Sequence, residues 1–166
     1  IRRALLHFDV AAAIPENALI DNATLTLHLN KGNSGGTVIT LHRALDDWGE
    51  GGSSSNGGSG APAQADDATW LHTFHDYDYW VQAGGHFVRH ASATQSVSSN
   101  GFYSWQDTVH LANDVRLWHR APGHNYGWLL MADESTPRTV VRFDSKDGAD
   151  SALHPVLRVE YHLPGE

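Results

Sequence analysis

A single stretch of this sequence, residues 113–134, carries both a helical pattern and one of the strongest strand patterns in the chain. Apolar residues spaced four and three apart predict one buried helical stripe, formed by Leu111, Val115 and Trp118. We predict that Asn113 caps this helix and that Asp114 lies in its first turn. Pro122-Gly123 ends the helix. The apolar run at 127–132 then predicts a buried strand, so this helix leads directly into a β core.

Elsewhere the dominant pattern is an alternation of apolar and polar residues, which is the period of a strand with one buried face. The alternation is clearest at 23–30, where leucines alternate with Thr24, Thr26 and His28. Further strands are predicted at 2–10, 37–45, 69–75, 101–105, 108–112, 139–143 and 156–162. About eight or nine short strands and one short helix near 113–120 predict an all-β fold, an antiparallel jelly-roll-like β-sandwich. At 166 residues, we expect a single domain spanning 1–166.

The glycine-rich segment 31–36 predicts a β-hairpin that joins the strands on either side of it. A turn centred near Ser34–Gly35 would place His28 and His42 directly opposite each other on the outer face of the sheet. Two imidazoles in that position could share a zinc ion or sense pH by mutual repulsion. The alternative is two solvated rings that do neither.

Composition and charge exclude several classes of protein. The chain has 11 basic and 19 acidic residues, and its net charge of −8 argues against nucleic acid or anionic membranes as partners. It has no cysteine, hence no disulfide framework and no thiolate chemistry. No apolar run approaches the roughly 20 residues that span a bilayer. No Gly-x-Ser-x-Gly, His-Glu-x-x-His or phosphate-loop motif occurs, so we predict that the protein is not an enzyme.

An aromatic cluster interleaved with acidic residues suggests a site for a glycan. Flat aromatic rings can stack on the C–H faces of sugars, while carboxylates and amides bind the hydroxyl groups. The residues predicted to bind a glycan in this way are Tyr77, Tyr79, Trp80, Trp105, Asp76, Asp78 and Gln82. The alternative is that the rings fill the core, which we expect for Trp70, Trp118 and Trp128.

Acidic residues beside the predicted loops could hold calcium, a hard ion that takes several oxygen ligands at once. The candidates are Asp46, Asp47, Glu50, Asp144 and Asp147. No segment matches the Asp-x-Asp-x-Asp-Gly loop, so solvated aspartates in turns are the alternative. Calcium is the one cofactor that these residues suggest, and nothing in the sequence requires one.

The order of short motifs along the chain resembles that of DNRLRE-type domains. The matching motifs are RRALLHFDV at 2–10, ATLTL at 23–27, LHR at 41–43, DWGEG at 47–51, NYGW at 125–128, RFDSKD at 142–147 and PVL at 155–157. Lys146-Asp147 stands where the family has the basic-acidic pair of its namesake ending. The resemblance covers nearly the whole chain, and the ordered set is more specific than any single motif.

This resemblance implies a secreted, extracellular β-sandwich module of a bacterial or archaeal surface protein. Some relatives in the family are classed as carbohydrate-binding modules, and no catalytic residue set belongs to it. We therefore expect a non-catalytic module that binds a glycan or a component of the cell-surface matrix.

Family domains usually begin with a further extended segment upstream of the motif at 2–10, and this chain starts after it. A sandwich without that segment would have an open apolar edge that another chain could fill. The alternative function is therefore a structural subunit that joins copies of itself or neighbouring domains by strand contacts. A glycan-active enzyme is a second alternative.

Overall fold

The computed structural model is mostly β, with 34% of the residues in strands and 14% in helices. It describes residues 1–33, 35–55, 60–106, 108–137 and 139–165. In chain order the strands are β1 (Ala4–Leu6), β2 (Leu19–Lys31), β3 (Thr37–Arg43), β4 (His72–Phe74), β5 (Asp78–Tyr79), β6 (Ala93–Val97), β7 (Gly101–Trp105), β8 (Trp128–Met131), β9 (Arg142–Phe143) and β10 (Val156–His162). The helices are α1 (Val10–Ala13) and α2 (Val109–Arg120), and single 3-10 turns lie at Pro122–His124 and Ser151–Leu153. In the described ranges, no helix is long and apolar enough to cross a membrane.

Two antiparallel sheets enclose the core, which confirms the predicted all-β, sandwich-like fold. Sheet A has the strand order β1-β8-β3-β6, and sheet B has the order β10-β2-β7, with β9 paired to the end of β2. A separate two-stranded ribbon pairs β4 with β5. Because β6 and β7 contact each other at one side of the sandwich, β1 and β10 lie towards the opposite side.

Leucine and tryptophan side chains fill the space between the sheets. The alternating leucines of β2 are fully buried, as their spacing predicts. The rings of Trp118 and Trp128 are also fully buried and meet edge to face, with their centroids 4.4 Å apart. Trp105 of β7 donates its Nε1 hydrogen to the backbone oxygen of Ile39 in β3, at 3.0 Å. This bond ties sheet B to sheet A through the middle of the core.

The predicted hairpin between β2 and β3 is wrong, because the two strands belong to opposite sheets. The connection between them crosses the sandwich, where Asn33 donates its backbone N–H to the oxygen of Ser98. Alternation fixes which face of a strand is buried, but it is equally satisfied when two strands pair and when they face each other. His28 and His42 therefore lie on the outer faces of sheets that pack about 10 Å apart, and they form no pair.

The predicted apolar stripe of α2 is confirmed, but the predicted start of the helix is not. The Thr108 side chain caps the helix by accepting a hydrogen bond from the Leu111 backbone N–H at 3.1 Å. The predicted cap, Asn113, lies inside the helix, and the predicted strand at 108–112 forms its cap and its first turn. The strand predicted at 2–10 is also shorter than expected. Only β1 (Ala4–Leu6) forms, and the Asp9 side chain caps the short helix α1 that follows.

A buried carboxylate joins α2 to both neighbouring strands of sheet A. One oxygen of Asp114 lies 2.9 Å from Arg43 Nε, and the other accepts hydrogen bonds from Ser92 Oγ and Trp128 Nε1. Burial raises the pKa of Asp114 and outweighs the opposing effects of these three partners. The network fixes the helix against the end of the sandwich.

A long excursion between β3 and β6 covers the outer face of sheet A. It leaves the sheet after Arg43 and comes back to it at Val88. There the Val88 backbone N–H donates a hydrogen bond to the Arg43 backbone oxygen. Leu129 points to this outer face and is buried beneath the excursion. The ribbon of β4 and β5 belongs to the excursion. On the outer face of sheet B, the Phe102 side chain remains exposed. Of the glycine- and serine-rich tract at 52–60, residues 52–55 and Gly60 are exposed, and residues 56–59 lie outside the described ranges.

Candidate ligand-binding surface

The β4–β5 ribbon presents the aromatic residues that the sequence singles out. His72 pairs with Tyr79 and Phe74 with Asp78, and the register is irregular between His72 and Phe74. Asp76 makes the turn with a left-handed backbone, φ 76°, which aspartate tolerates better than most residues. This short turn holds the two strands in one fixed arrangement.

Tyr77 and Tyr79 are the two predicted ligand-binding aromatic residues that are open to solvent, with exposed fractions of 66% and 69%. The Tyr79 ring leans on His72 with the two centroids 4.3 Å apart, and the His75 ring lies 5.0 Å from that of His72. We call Tyr79, His72 and His75 the aromatic platform. Asp76, Asp78 and Gln82 are also exposed, the two aspartates on the ribbon and Gln82 just beyond it.

The two histidines of the platform meet, although a regular strand over 69–75, as predicted, would separate them. In a regular strand, His72 and His75 would point to opposite faces and could not meet. The strand ends at Phe74 and its register is irregular, so the two rings come together. Aspartate is common in turns, so Asp76 in the sequence indicates that the strand ends close to His75.

Trp80 and Trp105 are not ligand contacts of the platform. Trp105 is fully buried between the sheets, so the prediction that it binds a ligand is wrong. Trp80 has an exposed fraction of only 6%, and its Nε1 donates to the backbone oxygen of Thr69 at 2.9 Å. Its own backbone N–H donates to Leu71, so Trp80 fastens the ribbon to the rest of the excursion.

A cleft of about 640 Å³ lies beside the ribbon, between the excursion and β1. Three indole rings line it, those of Trp48, Trp70 and Trp80, above apolar side chains that include Leu5 and Leu129. Trp70 was expected in the core, but its exposed fraction is 40%, so that prediction is wrong. Residue type alone could not separate a core tryptophan from one that lines a cleft.

Arg3 clamps the cleft wall to β1. Its guanidinium makes two parallel hydrogen bonds to Glu134, at 2.7 and 2.8 Å, and a third to the backbone oxygen of Gly84. The same group lies 4.8 Å from the ring centroid of Trp70 and 5.4 Å from that of Phe87. These bonds from Arg3 hold the pKa of Glu134 below its ordinary value. No local pattern marks Arg3, because its partners are remote in the chain.

Asp67 fastens the base of the glycine- and serine-rich loop. Its buried carboxylate accepts backbone hydrogen bonds from Gln64 at 2.6 Å and Ser53 at 3.3 Å. The bond from Gln64 is the main reason why the pKa of Asp67 is lowered. Gly49 donates to the backbone oxygen of Thr73, so the near end of this loop is bonded to the ribbon.

The five candidate calcium ligands do not form one site. Asp46 bonds to His86 at 3.0 Å, and the Asp47 side chain accepts the Trp48 backbone N–H. Asp144 bonds to His28 at 2.7 Å on sheet B and also accepts from Asn30. In the part of the chain that the structure describes, no group of three or more His, Asp or Glu side chains could hold a metal ion.

Glu50 and Asp147 do approach each other, but they share a cation of the chain itself. The Lys146 ammonium lies 2.9 Å from Glu50 and 2.8 Å from Asp147. Hydrogen bonds to these two carboxylates raise the pKa of Lys146. The place where a calcium ion would bridge the two acidic residues is therefore filled by a lysine.

A smaller polar group lies on the outer face of sheet B. The His28 ring, bonded to Asp144, packs against Phe102 with the centroids 4.8 Å apart. Phe102 has an exposed fraction of 58%, which makes it a useful comparison for Tyr79. The hydroxyl groups of Thr26 and Ser104 form a hydrogen bond at 2.8 Å on the same face.

Comparison with known proteins finds no family model that matches the chain. No curated protein matches it either. The resemblance to DNRLRE-type domains therefore stays an expectation from the sequence motifs.

Proposed function

We propose that the chain is a non-catalytic, extracellular module that binds a glycan through the aromatic platform of the β4–β5 ribbon. The observation that carries the proposal is the Tyr79 ring, which is 69% exposed and rests at a tilt of 38° against the His72 ring. A ring already supported on one side loses little rotational freedom when a sugar stacks on it, so less binding energy is spent on ordering the site.

The surroundings of the platform suit a sugar. The C–H face of a pyranose is apolar and carries slight positive charge, which matches the face of a tyrosine ring. Asp76 and Asp78 supply carboxylate oxygens within the same ribbon, and these accept hydrogen bonds from hydroxyl groups. The neighbouring cleft lined by indole rings could accommodate further sugar units.

The cleft offers little for catalysis by acid and base. Glycoside hydrolysis needs two carboxyl groups that flank the bond to be cleaved. Of the acidic residues that line the cleft, Asp67 is occupied by two backbone N–H groups and Glu50 is paired with Lys146. These interactions support a binding role rather than an enzymatic one.

The test compares two exposed aromatic residues on different faces. Binding to a panel of soluble polysaccharides is measured by affinity gel electrophoresis for wild type, Tyr79→Ala and the control Phe102→Ala. We expect Tyr79→Ala to weaken binding about tenfold or more, since about 1.4 kcal/mol of lost stacking is a factor of ten. Phe102→Ala should bind like the wild type. Loss of binding in Phe102→Ala alone would move the site to sheet B and refute the proposal.

One observation favours the second candidate, a structural subunit joined by strand contacts. Leu6 of β1 and Leu157 and Val159 of β10 pack against the core but are only partly buried. These strands lie at the edges of their sheets, where another strand could add. Ordered assemblies that form without any glycan, measured by light scattering, would favour this function over glycan binding.

A further inference from the structure

The excursion that carries the aromatic platform also carries most of the net charge of the protein. Its residues, 44–92, contain seven acidic residues and one basic residue, Arg89. The rest of the chain holds the other 12 acidic residues and the other 10 basic ones, so it is close to neutral. A charge distribution this uneven creates a negative field around one surface, and a negative field attracts positively charged ligands.

The acidic groups nearest the platform face solvent. The side chain of Asp76, at the turn of the ribbon, has an exposed fraction of 62%, and Asp78 precedes Tyr79 in β5. Asp76 lies 3.4 Å from His75, which belongs to the platform. The ribbon therefore carries one exposed carboxylate in contact with the platform, that of Asp76, and a second in the strand that holds Tyr79.

Two of the basic groups near this surface, Arg3 and Lys146, are engaged by carboxylates. Arg3 makes its two parallel bonds to Glu134, and Lys146 lies between Glu50 and Asp147. Arg2 also lines the cleft, on the side of β1. The surface that a ligand meets at the ribbon is thus aromatic and acidic.

We infer that the glycan bound at the aromatic platform carries ammonium groups, as amino sugars do, and this inference rests on the proposed function. The ring faces of Tyr77 and Tyr79 attract a cation electrostatically, while their apolar area still stacks on the sugar. Asp76 and Asp78 pair with ammonium groups on the same or the next sugar unit. Uronic acids and sulfated glycans are disfavoured, because like charges meet at this surface.

The experiment uses two glucosamine hexamers that differ only at nitrogen. One is N-acetylated and neutral, and the other is N-trimethylated, so its positive charge does not depend on pH. Dissociation constants are measured at pH 8 by isothermal titration calorimetry. An exposed ion pair is worth a factor of about two to five, so two pairs should favour the cationic hexamer roughly tenfold.

Matched variants separate the site from the overall charge. Asp76→Asn/Asp78→Asn should abolish the preference, and asparagine also fits the left-handed backbone at position 76. The control Glu16→Gln/Glu160→Gln changes the net charge equally at exposed positions outside the excursion and should keep the preference. If both double variants lost the preference for the cationic hexamer equally, the preference would be a non-specific effect of net charge, and the inference would be overturned.

The remaining outcomes distinguish the two proposals. Binding of the neutral hexamer that depends on Tyr79 but is as tight as that of the cationic one would overturn the inference and leave the proposed function standing. Failure of every glycan in the panel to bind would overturn both. Binding of a lysine-rich peptide in the absence of glycan binding would also overturn both and favour a basic protein partner.

Discussion

Replacing Asp114 by alanine tests the buried network that fixes α2. The change leaves the fully buried Trp128 N–H without its acceptor, which costs about 1–3 kcal/mol. Arg43 loses its partner as well, but its side chain is 24% exposed and regains water, so the penalty falls below the 3–5 kcal/mol of a deeply buried pair. Ser92 can turn its hydroxyl group elsewhere. The combined expectation is a loss of about 3–4 kcal/mol in the free energy of unfolding.

The assay is urea unfolding followed by tryptophan fluorescence, with a thermal melt beside it. A loss of this size corresponds to a fall of roughly 6–16 °C in melting temperature for a domain of this length. Asp114→Asn keeps an acceptor for Trp128, so it should lose less unfolding free energy than Asp114→Ala. The double variant Asp114→Leu/Arg43→Met should likewise be more stable than Asp114→Leu alone, because it leaves no unpaired guanidinium. A loss below about 1 kcal/mol in Asp114→Ala would refute the reasoning.

The pH dependence of this loss has a definite sign. Burial raises the pKa of Asp114 in the folded state, so the stability that this group contributes is fully present below its unfolded pKa and is lost as pH rises through the folded value. The difference in unfolding free energy between wild type and Asp114→Ala should therefore widen as pH falls from 8 towards 4. If the difference instead became smaller as pH falls, the attraction between Arg43 and the charged Asp114 would outweigh the effect of burial on the pKa of Asp114.

Two further predictions concern β1 and its contacts. Gly127→Ala should destabilise the protein by more than about 2 kcal/mol in urea unfolding, whereas Gly123→Ala should stay within about 0.5 kcal/mol. At Gly127 the φ is +71°, and an added Cβ would lie 1.9 Å from the Leu6 backbone oxygen. An added Cβ at Gly123 meets nothing within 4 Å. Equal losses of stability in the two variants would contradict this explanation. Arg3→Met should lower stability at pH 7 but much less near pH 3. Because the pKa of Glu134 is lowered in the folded state, this group stabilises the protein above its unfolded pKa, about 4.3, and the stabilisation is lost as pH falls through its folded pKa. A difference in stability between wild type and Arg3→Met that does not change with pH would argue against this linkage.

The sequence is a good guide to the layers of this fold and a poor guide to how its strands are connected. Alternation correctly assigned the buried leucines of β2, because burial of one face depends on neighbouring positions only. Whether β2 pairs with β3 or faces it depends on the path of the connection past Ser98, which no local pattern encodes. The start of α2 was missed for a related reason, since Asn113 and Thr108 are both good caps and tertiary contacts select between them.

The site was predicted only in part. The aspartates interleaved with Tyr77 and Tyr79 marked a segment whose rings turn outwards. Trp80 lies next to Tyr79, yet it is buried, and its Nε1 donates to the backbone oxygen of Thr69, a contact that the local pattern does not predict. The clamp formed by Arg3 and Glu134 joins residues 131 positions apart, and such a partnership leaves no trace in local sequence.

The pairing of β1 with β8 has a consequence for how the chain can be made. Leu5 lies opposite Leu129, and β2 pairs with β7 at Gly101–Trp105 and with β10 at Val156–His162. During synthesis, β1 and β2 therefore leave the ribosome well before the strands with which they pair. Their apolar faces stay uncovered until those strands emerge, and contacts of such long sequence separation make folding slow. A newly made chain is therefore open to chaperones or to a translocation channel until β8 and β10 have been made.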